Sequence, residues 1–146
     1  MKNIPLSALC LGLAGVMPFG APLFASVLFQ GPDFDLLWIS MQLLYGLTIL
    51  SFMSGCLWGF AAKSDDPVGY GLSTLPALYG FSIIGMIWFG VITSKEALFF
   101  IALGFLMLLF LDRRAARLGQ APHWWMALRL LLTGLVCLCL IGGMLR

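Results

Sequence analysis

The chain has 146 residues, of which 62% are hydrophobic and 10% are charged, and its formal net charge is +2. This composition lies outside the range of soluble globular domains, and the charge gives no sign of a nucleic-acid-binding surface. The charged residues lie near the ends of apolar runs that are long enough to cross a bilayer. Residues 1–146 are therefore predicted to form a single all-α bundle, a polytopic integral membrane protein of about five transmembrane helices.

The first span is predicted over about 6–29 and contains two prolines, Pro18 and Pro22. A proline lacks an amide donor and clashes with the carbonyl four residues earlier, which for Pro18 is that of Ala14. We therefore expect a kink or a short unwound stretch in this span, covered by neighbouring helices. The apolar run is about twice as long as the h-region of a secretory signal, so we expect it to be retained as a span.

The second span is predicted over about 36–62 and carries the clearest packing motif of the sequence. Ser51, Gly55 and Gly59 recur every four residues, and small residues at this spacing let another helix approach closely. We call these three residues the small-residue ridge. Gln42 is the one strongly polar side chain of the span, and we expect it to form an interhelical hydrogen bond, with a ligand contact as the alternative.

Several residues are typical of helix starts. Asp33 or Asp35 can cap the second span, and Asp66 can cap the third, with Pro67 at its first helical position. Thr93-Ser-Lys-Glu96 matches a capping box and predicts the start of the fourth span.

The third and fourth spans differ in predicted length. The third is predicted over about 68–92 and contains Pro76, which should bend it. The fourth is predicted over about 97–111. Fifteen uncharged residues extend only about 22 Å as a helix, which is less than a hydrocarbon core of about 30 Å. The flanking basic side chains are then expected to snorkel, unless the bilayer thins.

The fifth span is predicted over about 124–145, after an extended polar loop that begins at Asp112. Trp124 and Trp125 are predicted to anchor its start at the membrane interface. Arg129 lies about 7.5 Å along the helix from Trp124. We expect Arg129 to belong to this interfacial anchor, either snorkelling to the interface or pairing with Asp112, with substrate binding as the alternative.

The basic residues are divided unequally between the two sides of a five-span bundle. One side has six of them, namely Lys2, Lys63, Arg113, Arg114, Arg117 and, at its border, Arg129. The other side has Lys95 and Arg146. The positive-inside rule then predicts a cytoplasmic amino terminus and a carboxyl terminus outside. The sequence has no Arg-rich, acid-poor presequence, which favours a cell inner membrane as the location.

Four local patterns lie in spans one, two, three and five: Gly15-Val-Met-Pro-Phe19, Tyr45-Gly-Leu-Thr-Ile-Leu-Ser-Phe-Met-Ser-Gly-Cys-Leu-Trp-Gly59, Tyr70-Gly-Leu-Ser-Thr-Leu-Pro-Ala77 and Ala121-Pro-His-Trp-Trp-Met-Ala-Leu-Arg-Leu-Leu-Leu-Thr133. Together they resemble the transmembrane protein 69-like family of small membrane proteins, also called domain of unknown function 3429. The resemblance covers nearly the whole chain and implies a shared fold and a membrane location, without implying an activity. Family members usually carry a histidine before the span-two tryptophan, where this chain has Leu57, so histidine chemistry is not implied here.

We expect no catalytic, cofactor or metal site. The single histidine, His123, is predicted at the interface, so no serine has a base to activate it and a membrane haem lacks two axial histidines. Cys137 and Cys139 point about 200° apart on a helix and cannot share a metal. The sequence therefore predicts a protein that is not an enzyme.

Two functions remain for such a bundle. The small-residue ridge favours a non-catalytic bundle that packs with a membrane-protein partner, assists its assembly, or forms a homo-oligomer. The alternative is a small carrier or binding protein for a lipid, a quinone or another apolar substrate, with a cavity at the broken first and third spans. In both cases the protein is expected to contact the lipid bilayer, and no nucleic-acid partner is expected.

Overall fold

The computed structural model describes residues 4–28 and 31–145, with all their side chains except those of residues 26, 27, 32 and 33. This part of the chain contains six α-helices and no strand: α1 Leu6–Ala14, α2 Met17–Leu28, α3 Pro32–Ala62, α4 Pro67–Trp88, α5 Ser94–Arg117 and α6 Trp125–Met144. Five stretches are long and apolar enough to cross a membrane, the first being α1 together with most of α2. The predicted all-α membrane bundle with five spans is confirmed.

The first span is broken at Gly15 and Val16, between α1 and α2. Pro18 has no N–H to offer Ala14, and the Phe19 N–H donates to the Val16 carbonyl rather than to Gly15. The Gly15 carbonyl instead accepts a hydrogen bond of 3.0 Å from the Tyr45 hydroxyl on α3. A neighbouring helix therefore satisfies the backbone group that the break sets free, as the two prolines predicted.

α3 is the central helix and contacts α2, α4, α5 and α6. Its approach to α5 is close because Gly46 has no side chain: a Cβ added there would lie 2.8 Å from Ile101. On the side facing α4, Ser54 Oγ accepts a hydrogen bond of 3.0 Å from the Ala77 N–H. Leu50 and Leu57 of α3 are buried in the same core.

α5 is longer than its uncharged run. It continues through Asp112 to Arg117 and ends where Gly119 adopts a φ of +70° and the Gln120 N–H closes the turn on the Ala115 carbonyl. The 24 residues extend about 36 Å at 1.5 Å each. Residues 112–117 are thus helical rather than part of an extended loop.

α4 ends earlier than the apolar pattern indicated. Its last residue is Trp88, since Gly90 turns the chain with a φ of +69° and the Val91 N–H donates to the Met86 carbonyl at 2.9 Å. A glycine in this position commonly ends a helix because the left-handed conformation costs it little.

Two of the expected helix starts are present. Asp66 is the N-cap residue of α4, with Pro67 in the first turn, but its side chain makes no capping hydrogen bond, and its Oδ2 accepts from Arg114 instead. Thr93 and Glu96 form the complete capping box of α5: the Glu96 N–H donates to Thr93 Oγ1 at 3.2 Å and the Thr93 N–H donates to Glu96 Oε2 at 2.7 Å.

The expected aspartate cap of α3 is not formed by Asp35. Gly31 is the N-cap residue, with Pro32 in the first turn, and the Asp35 N–H already donates to the Gly31 carbonyl at 3.0 Å. Asp35 therefore lies inside the helix. The side chain of Asp33 lies outside the described part of the chain.

Candidate functional site

A buried aspartate–arginine pair joins α5 to α6. Arg129 Nε donates to Asp112 Oδ2 at 2.8 Å, and Trp125 Nε1 donates to the other carboxylate oxygen, Oδ1, at 2.7 Å. The Asp112 side chain is fully buried and that of Arg129 is 6% exposed. We call Asp112, Trp125 and Arg129 the buried polar cluster. One carboxylate oxygen thus accepts a charge-assisted hydrogen bond from the guanidinium and the other accepts one from the indole. Both oxygens of the buried carboxylate therefore have a hydrogen-bond partner.

The cluster arises from helical spacing. Trp125, Arg129 and Thr133 are each four residues apart on α6, so their side chains share one side of the helix. Asp112 lies on the buried side of α5, which packs directly against α6. The expectation that Arg129 pairs with Asp112 is met, whereas the snorkelling alternative is not, because Arg129 is almost completely buried.

Two hydrogen-bond donors beside the cluster have no partner among the described residues. They are Arg129 Nη2 and Thr133 Oγ1, and both atoms are buried. As whole residues, Arg129 is 5% exposed and Thr133 2% exposed. A buried polar atom without a partner costs about 1–3 kcal/mol of stability. We call these two atoms the two free donors.

The free donors belong to residues that line a cavity of about 150 Å³. Of the 13 lining residues, 11 are apolar or glycine, and Arg129 and Thr133 are the two exceptions. Gly15 and Val16, at the break between α1 and α2, form part of the wall. The sequence placed such a cavity at the first and third spans, but α4, the third, contributes no lining residue.

The cavity opens toward the outer surface of the bundle. Its lining includes Leu11 of α1 and Phe52 of α3, which are 75% and 63% exposed. Both residues lie in predicted membrane spans, so the opening faces the hydrocarbon region.

Gln42 is not part of this site. Its side chain is buried, and Nε2 donates to the carbonyls of Phe19 at 2.7 Å and Cys139 at 3.3 Å. Gln42 thereby joins α3 to α2 and α6. This is the interhelical role that the sequence favoured over a ligand contact.

The small-residue ridge packs against no other helix in the described part of the chain. A Cβ added at Gly55 or Gly59 would meet nothing within 4 Å, and both glycines are exposed. Ser51 is also exposed, and its hydroxyl donates to the Leu47 carbonyl of its own helix. Within the bundle the close approach occurs instead at Gly46, so the ridge remains open on the outside.

The two tryptophans that were predicted to lie at the membrane interface have different surroundings. Trp124 and Trp125 are both half-buried, with ring centroids 6.1 Å apart. Trp125 also packs edge-on against Phe60 at 5.0 Å while its N–H reaches Asp112. Trp125 thus takes part in the core as well as in the predicted interfacial anchor, a role that its spacing of four from Arg129 could have indicated.

A second aspartate–arginine pair lies at the same end of the bundle, near the surface. Arg114 Nη1 lies 2.7 Å from Asp66 Oδ2, and Gln120 Nε2 donates to the same oxygen at 3.0 Å. These hydrogen bonds, that of Arg114 first, hold the pKa of Asp66 well below its usual range. Gln120 also donates to Ser64 Oγ at 2.8 Å. The loop between α3 and α4 therefore lies beside the loop between α5 and α6.

Comparison with known proteins gives a family and two curated relatives. The family described as "Protein of unknown function (DUF3429)" matches residues 4–145. The chain is 34% identical to Transmembrane protein 69 of Xenopus tropicalis, over 100% of this chain and 56% of that protein. It is 28% identical to Transmembrane protein 69 of Mus musculus, over 91% of this chain and 53% of that protein. The chain thus spans about half the length of these relatives. No solved structure matches it significantly.

Proposed function

The chain belongs to the DUF3429 family of multi-pass membrane proteins, and from its own geometry we propose that it binds an apolar membrane molecule bearing a hydrogen-bond acceptor. One observation carries this proposal: the two free donors, Arg129 Nη2 and Thr133 Oγ1, belong to residues at the wall of an otherwise apolar cavity. Apolar walls with a few convergent polar groups are typical of small-molecule sites. The sequence alone favoured packing with a membrane-protein partner over binding of an apolar substrate. Because of the two free donors, we place binding first.

Binding without catalysis is part of the proposal. Asp112, the one carboxylate of the cluster, already accepts hydrogen bonds at both oxygens, so it is poorly placed to remove a proton from a ligand. Arg129 and Thr133 line the cavity as donors, with no activated nucleophile among its lining residues. These contacts support a carrier or binding protein rather than an enzyme.

The test is to purify the protein in mild detergent and identify co-purifying small molecules by mass spectrometry. We expect one apolar molecule to be enriched over the bulk lipid extract. Val136→Phe should abolish the enrichment, because Val136 lines the cavity and a larger side chain would fill it. Leu138→Phe is the matched control on the exposed side of α6. Equal enrichment in both variants, or none in the native protein, would argue against binding in the cavity.

Partner packing is the second candidate, and the open small-residue ridge favours it. Gly55 and Gly59 leave space at the surface for the backbone of another membrane helix, from a protein partner or a second copy. Gly55→Leu should then weaken cross-linking to that helix in native membranes. Gly71→Leu is the control, since Gly71 of α4 is also exposed and open but has no ridge around it. If the two variants cross-link like the native protein, the ridge has no partner.

We also propose a cell inner membrane with the amino terminus in the cytoplasm. The contacts of Asp66 with Arg114 and Gln120 support this orientation, because they hold the ends of α3 and α5 together at one end of the bundle, where Lys63, Arg113, Arg114 and Arg117 lie. A phosphatase fused after Arg146 should be active outside the cytoplasm, and one fused after Arg117 inactive. The reverse pattern would overturn the orientation.

A further inference from the structure

We propose that the cavity selects a neutral carbonyl-bearing ring of the quinone type over acidic lipids and over plain hydrocarbons. This inference rests on the proposed binding function and adds the chemical class of the ligand. It follows from three properties of the site: the kind of hydrogen-bonding groups that are free, the charge that is already compensated, and the shape of the space.

The free groups require an acceptor on the ligand. Arginine has only donors, so a group that binds Arg129 Nη2 must present a lone pair. The hydroxyl of Thr133, one turn further along α6, can donate to the same oxygen or to a neighbouring one. An alkane or a hydrocarbon ring would leave both donors unsatisfied. A carbonyl oxygen can accept from both donors. Unlike a hydroxyl or an amine, it has no N–H or O–H of its own that would need an acceptor in the apolar wall.

The charge of the site disfavours an anion. The positive charge of Arg129 is already compensated by Asp112, whose oxygen lies 2.8 Å from Nε and is fully buried. Arg129 is the one charged residue that lines the cavity. A carboxylate or phosphate would therefore bring a second negative charge beside Asp112 into a region of low dielectric constant without a second base. A neutral carbonyl avoids this cost.

The space fits a small ring with an apolar tail. A cavity of about 150 Å³ is comparable to apolar cavities that hold a benzene-sized ring. Phe19 and Phe105 are among the residues that line it. The opening beside Leu11 and Phe52 leads to the membrane side of the bundle, where a tail too long for the cavity can remain among the lipids.

The test compares three probes that differ only in the head. Decylbenzoquinone has neutral carbonyls, 4-decylbenzoate has a carboxylate, and decylbenzene has no acceptor. Each competes with radiolabelled decylbenzoquinone for the protein in lipid nanodiscs, with protein-free nanodiscs as the background. We expect decylbenzoquinone to bind more than tenfold tighter than decylbenzene, which cannot accept from the two donors. We expect the same margin over 4-decylbenzoate, whose negative charge would lie beside that of Asp112.

Thr133 variants connect this selectivity to the site. Thr133→Val should weaken decylbenzoquinone binding by about fivefold, the effect of roughly one net hydrogen bond, while leaving decylbenzene unchanged. Thr133→Ser keeps the hydroxyl and should bind like the native protein. Thr48→Val is the matched control, because Thr48 is exposed on α3 and its hydroxyl already donates to the Leu44 carbonyl.

The outcomes separate the two levels of the proposal. If decylbenzoate or decylbenzene binds as well as decylbenzoquinone, the neutral-carbonyl class is wrong while binding in the cavity stands. If Thr133→Val binds decylbenzoquinone with native affinity, the class is wrong for this site. If no probe binds above the protein-free background, the binding function itself fails and the inference falls with it.

Discussion

The two aspartate–arginine pairs of this bundle have the same chemistry and nearly the same length, but they differ in burial. Asp66 and Arg114 lie 2.7 Å apart with side chains 14% and 32% exposed, whereas Asp112 and Arg129 lie 2.8 Å apart at 0% and 6%. At the surface, water can replace a lost partner, so the pair contributes little. In the interior no water can replace a lost partner, so removal of either charge leaves the other buried without compensation.

The two pairs also differ in the structural role that each can have. Replacing a buried ion pair by apolar side chains is often neutral or even stabilising, so stability is a weak reason for Asp112 and Arg129 to lie in the core. The surface pair fixes two loops through Asp66 and Gln120. In the buried pair, Nε of Arg129 donates to Asp112, and Nη2 has no partner among the described residues, while Arg129 as a residue lines the cavity. On the binding function proposed above, the buried pair serves to position Arg129 at the cavity.

The largest effect should come from breaking the buried pair. Asp112→Asn leaves Arg129 as an uncompensated charge in the core, and we expect it to destabilise the bundle by about 3–5 kcal/mol. Unfolding followed in detergent measures the change. Asp66→Asn is the matched control at the surface pair. Equal loss in the two variants would remove the distinction between the pairs.

A smaller effect should come from the third member of the buried polar cluster. Trp125→Phe keeps an aromatic ring against Phe60 but removes the N–H that donates to Asp112 at 2.7 Å. A hydrogen bond to a charged group contributes about 1.5–3 kcal/mol, so the free energy of unfolding should fall by an amount of that order. Trp124→Phe, at the neighbouring interfacial ring, should have a lesser effect; the opposite order would show that Trp125 acts only as an anchor.

The smallest effect, and the one most sensitive to salt, is expected at the surface pair. Asp66→Asn removes the acceptor charge of Arg114, and the resulting loss of stability should shrink as ionic strength rises, because salt screens exposed charges. The effect of Asp112→Asn should not change with salt, since that pair is shielded from ions. Unfolding of both variants at about 0.05 and about 1 M salt, between which the Debye length falls from about 14 Å to about 3 Å, distinguishes them.

Most of the fold follows from the spacing of charges and prolines in the sequence. Apolar runs between charged residues predict the five spans, and Pro18 predicts the break between α1 and α2. The far end of α5 is not predicted in this way, because Asp112 and Arg114 end the uncharged run while the helix continues. Their charges are compensated by residues distant in sequence, Arg129 and Asp66, and tertiary pairing of this kind has no local signal.

The candidate site is less predictable from the sequence than the fold. A spacing of four joins Arg129 to Thr133 and could be read locally, and the pairing of Arg129 with Asp112 was one of two alternatives. The cavity depends on how α1 and α3 lie against α6, which the sequence does not specify. The same limit affects the small-residue ridge: the repeat of Gly55 and Gly59 predicts a helix-packing surface, but not that it faces away from the rest of the bundle.

The central claim is that Asp112 serves to hold Arg129 at the cavity, and the double variant Asp112→Asn/Arg129→Gln tests it most directly. Removing both charges leaves no uncompensated ion, so most of the stability lost in Asp112→Asn should return. Glutamine is too short to place a donor where Arg129 Nη2 lies, so decylbenzoquinone affinity in nanodiscs should stay low. A double variant that is stable and does not bind agrees with this account. A double variant that is stable and binds with native affinity would contradict it.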